Sequence, residues 1–112
     1  MDKAYLSEVD ALLNELKIPF SYIGRNYITQ ALLLLLQSPH GSSAGPLYSQ
    51  VAEICHTTYD GVERNIRNCF NKLDYSSDLA IRLFPVRSKT GAVKPKEGLY
   101  ALLSELKQRL SD

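Results

Sequence analysis

Apolar residues recur at helical spacing through most of the chain. Leu6, Val9, Leu12, Leu13 and Leu16 share one stripe of residues 4–17, with Glu8, Asp10 and Glu15 opposite, which predicts an amphipathic first helix. Pro19 is expected to stop it, because the residue before a proline is pushed out of the α region. Gly24 reads as a turn. Residues 27–37 are apolar on nearly all sides, the pattern of a helix at the centre of an all-α bundle. The run 38–46 (SPHGSSAGP) consists of turn formers and reads as a loop. A short helix is expected over 78–84 and an exposed loop over 85–97, which holds one glycine and two prolines. The last helix, 97–110, carries Leu99, Leu102, Leu103, Leu106 and Leu110 on its apolar side. There is no internal repeat and no strand alternation. The expected fold is all-α, a compact bundle of about six helices in a single domain spanning 1–112.

Residues 48–73 have the spacing of a helix-turn-helix. The first helix of that motif needs a small residue where the second crosses it, and Ala52 stands there. Ten residues on, Val62 supplies the compact apolar residue that faces back. The turn between them often uses glycine to reach φ > 0. His56 occupies that place, and His is among the non-glycine types that tolerate it best. Thr57 and Asp60 form a capping-box-like pair, with Thr57 as the expected N-cap. At about 100° per residue, Tyr59, Val62, Ile66, Cys69, Phe70 and Leu73 face the core. Asp60, Arg64, Arg67 and Asn71 face outward, flanked by Glu63 and Asn68.

That outer stripe is the candidate chemistry. In a major groove, arginine pairs with guanine, glutamate accepts from cytosine N4 and asparagine reads adenine. Glu63, Arg64, Arg67 and Asn68 on a recognition helix of about 58–73 therefore form a base-reading set. The plainer reading of the same residues is a solvated helix face with Glu63 and Arg67 as an i,i+4 ion pair. Thr58 and Asn71 are candidate contacts to the DNA backbone. So are Arg87, Lys89, Lys94 and Lys96 in the 85–97 loop, where lysines suit phosphate contacts, although ordinary solubilising charge gives the same pattern.

Composition narrows the classes. The 112 residues suit one domain, and 45% apolar with 22% charged residues is ordinary for a globular core. The net charge of +1 means that any DNA contact must come from local charge placement. Cys55 and Cys69 are too few for a disulfide framework or a zinc site, and both are expected as buried thiols in a reduced, cytoplasmic protein. The N-terminus MDKAYLSEVD has no signal-peptide pattern. The apolar run 31–36 is far shorter than the ~20 residues that span a bilayer, so it reads as core or as a dimer face. His40 and His56 lie in no metal or nucleophile motif; no catalytic residue, metal or cofactor is expected.

The block Y-S-Q-V-A-E-I-C-H-T-T-Y-D-G-V-E-R-N-I-R at 48–67 resembles the C-terminal DNA-binding effector domain of the master sporulation response regulator, the stage zero protein A family of endospore-forming bacteria. The tyrosine, the first-helix alanine, Thr-Thr and Val-Glu-Arg-x-x-Ile-Arg carry the likeness. Weaker echoes are Leu16 to Pro19, Gly24 with Tyr27-Ile28, and Lys94-Pro95. The resemblance implies a six-helix domain whose recognition helix enters the major groove of double-stranded DNA. It implies base contacts from Glu63 and Arg64, base or backbone contact from Arg67, and phosphate contact from Lys94. It further implies a homodimer on tandem sites and RNA polymerase as another partner, with no membrane role. Two departures stand out. Asp60-Gly61 replaces the family's Ser-Arg, which predicts weaker phosphate contact at that point. A receiver domain would need about another hundred residues beyond these 112, so the expectation is either a segment of a longer chain or a stand-alone relative without phosphorylation control. A protein-binding adaptor that keeps the fold but not DNA binding is the competing expectation.

Overall fold

A computed structural model describes residues 3–37, 44–85 and 91–111. The helices are α1 (Lys3–Glu15), α2 (Ile23–Gln37), α3 (Ala44–Ile54), α4 (Tyr59–Asn71), α5 (Asp78–Leu83) and α6 (Pro95–Ser111), with no strand among the described residues. The all-α, six-helix expectation is met. His40, Arg87 and Lys89 lie outside the described residues, as does much of the expected 38–46 loop.

Helix α2 is the central element because its sequence is apolar on nearly all sides, with only a narrow strip at Asn26, Gln30 and Gln37 left polar. Ile28, Ala31, Leu32, Leu33 and Leu35 are buried, and α1, α3, α4 and α6 all pack on it. Val9, Leu12 and Leu13 of α1 join this core, as do Val62, Ile66 and Phe70 of α4 and Leu99, Leu102 and Leu106 of α6.

Several boundaries differ from the sequence pattern, each for a local reason. Helix α1 is closed by Lys17 rather than by Pro19: Lys17 takes φ 60, and the Ile18 and Lys17 N–H groups donate to the carbonyls of Leu13 and Asn14. This is a Schellman cap with a lysine in the left-handed position that glycine usually fills. Leu6, expected in the core, is 41% exposed. Gly24 is not a turn but a buried residue in the first turn of α2. Pro46 and Pro95 lie in the first turns of α3 and α6, where a missing N–H costs nothing, so both helices begin earlier than the expected loops allowed. Within the expected exposed loop of 85–97, Ala92 and Val93 are buried instead.

Two glycines set the packing distances. A Cβ on Gly24 would overlap the carbonyl oxygen of Asn65 and lie 2.5 Å from Cys69 Sγ, so α2 meets the α4 backbone directly. A Cβ on Gly98 would lie 2.5 Å from the Phe70 ring, so α6 closes on the other side of α4. Arg25, almost fully buried, links α2 to the end of α1 by donating to the Ile18 carbonyl at 2.6 Å and to Asn14 Oδ1 at 3.0 Å, with Phe20 stacked 3.7 Å over its guanidinium.

The ends of α1, α5 and α6 are tied by one carboxylate. Glu105 accepts from Arg82 at 2.8 and 3.0 Å and from Arg109 Nε at 2.8 Å, while Arg109 also donates to Glu15. Hydrogen bonds from Arg82 and Arg109, helped by their charges, hold the Glu105 carboxyl down to about 2 against the opposing effect of burial.

Two predictions follow from this packing. Gly24→Ala should destabilise the fold by at least about 2 kcal/mol, because the new methyl meets backbone that cannot move aside; urea unfolding measures it. Glu105 keeps its charge in the folded state down to about pH 2, whereas the unfolded glutamate ionises near 4.5. Its pairs therefore contribute fully above about pH 4.5 and are lost as pH falls towards 2. Thermal midpoints measured across that window should fall, and Glu105→Gln should flatten the fall.

Candidate nucleic-acid interface

Helices α3 and α4 with the turn between them form the candidate helix-turn-helix. Ala52 and Val62, the expected crossing pair, are both buried in the common core. The turn is made as the sequence suggested: His56 takes φ 56, its N–H donates to Glu53, and the Thr57 N–H reaches back 2.9 Å to the Ala52 carbonyl. This is a second Schellman cap, again without glycine.

The start of α4 is one residue later than expected. Thr58, not Thr57, is the N-cap, with φ −106 and ψ 158, and its Oγ1 accepts from the Gly61 N–H at 3.0 Å. The third helical residue is then Gly61 rather than Asp60, so the Thr57–Asp60 capping box does not form. Asp60 instead lies in the first turn, where a carboxylate is favoured by the helix dipole. The shift follows from the Schellman turn, which spends the Thr57 N–H on Ala52.

The face assignment holds with one exception. Val62, Ile66, Cys69, Phe70 and Leu73 are buried, whereas Tyr59 is 42% exposed. A residue in the first helical turn has no preceding turn to cover it. The Tyr59 ring leans edge-on against Tyr48, with centroids 5.7 Å apart and planes at 61°. Tyr48 itself is buried, and its hydroxyl is pushed up to about 12 by burial, with smaller contributions from Glu63 and Tyr59.

On the outer face, Asp60, Arg64, Arg67, Asn68 and Asn71 are exposed and Glu63 is half-buried. Arg67 Nη1 donates to Glu63 Oε1, so the plain i,i+4 pair is present. Arg64 makes no ion pair or hydrogen bond among the described residues. Asn68 lines a cleft of about 190 Å³ between α2 and α4, together with Tyr22, Asn65 and Lys72 among others. Asn65 turns inward and donates to the Gly61 carbonyl at 2.7 Å.

Lys94 and Lys96 are exposed at the start of α6. Their position is fixed by Tyr75, whose hydroxyl donates 2.7 Å to the Phe70 carbonyl and accepts 2.9 Å from the Val93 N–H. That bridge holds the residue next to Lys94 against the C-terminal end of α4.

Cys69 is buried but Cys55 only half so, short of the expectation for both. Burial raises the pKa of each thiol, opposed at Cys69 by Lys72. No cluster of three or more His, Cys, Asp or Glu among the described residues could hold a metal ion, and no described helix is long and apolar enough to cross a membrane.

These features define a small all-α bundle in which the capped helix α4 presents an arginine-bearing face. The family described as sporulation initiation factor Spo0A, C terminal, matches residues 9–101, and the chain belongs to that family of DNA-binding effector domains. No curated protein and no solved structure gives a significant match.

The cap assignment makes a direct prediction. Thr58→Ala should cost about 1 kcal/mol of unfolding free energy, because it leaves the Gly61 N–H without its acceptor. Thr57→Ala should cost clearly less. A larger loss for Thr57→Ala than for Thr58→Ala in paired denaturation curves would return the cap to Thr57.

Proposed function

We propose that the chain is a sequence-specific DNA-binding transcriptional regulator whose helix α4 enters the major groove. The observation that carries this reading is Arg64, exposed at the middle of the outer face and without a partner among the described residues. An arginine in that state has its full donor fork available for guanine. Glu63 and Arg67 act beside it as a joined pair: the guanidinium has further donors for a base or phosphate, and Glu63 has a second oxygen for cytosine N4. Asn68 reads at the edge of the same face.

Around these residues we assign the backbone contacts. Thr58 uses its oxygen as the cap but keeps its hydroxyl proton to donate to a phosphate. Asn71, Lys94 and Lys96 supply the opposite end, and Arg87 and Lys89, which lie outside the described residues, are proposed as further phosphate contacts. Asp60-Gly61 puts a negative charge where a basic contact would help, so affinity is expected to rest on few positive groups. Membership of the family extends the proposal to a homodimer on tandem sites, RNA polymerase as a further partner, a single-domain organisation for these residues and a cytoplasmic setting.

The test is selection from a random duplex pool, repeated at two salt concentrations. A consensus whose affinity falls steeply with salt supports the regulator. Enrichment of nothing would reject it in favour of the protein-binding adaptor. On a selected site, Arg64→Ala should cost about 1–3 kcal/mol and relax one base position. Lys94→Ala should weaken every sequence alike and reduce the salt slope by about one.

A further inference from the structure

We infer that Tyr59 is a DNA-contacting residue whose hydroxyl donates to a backbone phosphate at the junction of α3 and α4. The inference rests on the DNA-reading proposal above and adds a contact that the sequence pattern had assigned to the core. Three observations carry it. The ring is 42% exposed although it belongs by periodicity to the buried side. Its orientation is fixed, because Thr58 caps the helix one residue before it and the buried Tyr48 ring meets it edge-on at 5.7 Å. Its hydroxyl has no hydrogen-bond partner among the described residues.

Direction then selects phosphate over base. On a helix of about 100° per residue, Tyr59 lies about 40° beyond Glu63, about 80° from Arg67 and about 140° from Arg64, outside the edge of that set. It therefore flanks the reading face instead of joining it. The flank it occupies is the one nearest α3, as its contact with Tyr48 shows. In a helix-turn-helix complex the first helix crosses the DNA backbone while the second enters the groove. A rigid, unpaired phenol at their junction is suited to fix register without reading sequence. A ring already held by its neighbour also loses little rotamer freedom on binding. Tyr59 thus supplies a neutral donor close to Asp60, where the chain carries an acid.

Tyr59→Phe isolates the hydroxyl, since the ring and its packing on Tyr48 are retained. Binding of the parent and the variant is measured on the selected consensus and on single-base variants of it, at several salt concentrations, with thermal unfolding as a check on the fold. The variant should bind all sites about three- to tenfold more weakly, with the same base preferences. Its salt slope should run parallel to the parent's, because a neutral phenol releases no counterion, unlike Lys94. Parent-like affinity in Tyr59→Phe would overturn the phosphate contact while leaving the DNA-reading proposal standing. A preference altered at one base position would overturn it as well, making Tyr59 a base reader. A parent chain that selects no sequence overturns both.

Discussion

The close crossing of α2 and α4 at Gly24 is the constraint on which the rest of the molecule depends. Helix α2 is apolar almost all round and has to be enclosed, yet the α4 backbone reaches it only because residue 24 has no side chain. Gly98 repeats the arrangement from α6, where the Phe70 ring fills the space a Cβ would take. The candidate recognition helix is thus gripped on two sides by glycine contacts. With Val62, Ile66, Cys69 and Phe70 committed inward, the side bearing Arg64 has no direction left but outward. Rigidity of the scaffold and exposure of the site have the same cause.

The chain also controls its helix ends without the usual glycines. Lys17 and His56 both adopt left-handed backbone in Schellman caps, and each sets the direction of the helix that follows. At His56 the consequence reaches the site. Once the Thr57 N–H is used to close α3, Thr58 becomes the cap of α4, which fixes where Tyr59 emerges. A small change of turn geometry would therefore alter the surface offered to a groove. With a net charge of only +1, that surface depends on placement more than on overall attraction.

Much of the architecture was legible in the sequence because it rests on local, periodic signals. The leucine stripe of α6, that of α1 apart from Leu6, the nearly all-round apolar α2, the Ala52–Val62 spacing and the φ > 0 role of His56 all appear as expected. The outward set at 60, 64, 67, 68 and 71 follows from the same helical period. What the sequence could not express is long-range contact. Gly24 looks like a turn to any local rule, since the reason for it lies 41 positions away at Asn65. Arg25 looks like a surface residue, yet it is buried by the end of α1 and the Phe20 ring.

By itself, then, the amino-acid order determined the helices, their buried stripes and the polar face of α4, because helix periodicity is written residue by residue. Tertiary structure alone decided the anchoring of Lys94 through Tyr75 and Val93, the burial of Arg25 and the exposure of Tyr59 against Tyr48. Each depends on a group brought from another segment to satisfy a donor, cover a ring or leave one uncovered. Periodicity fixes which way a side chain points; only packing fixes what it meets there.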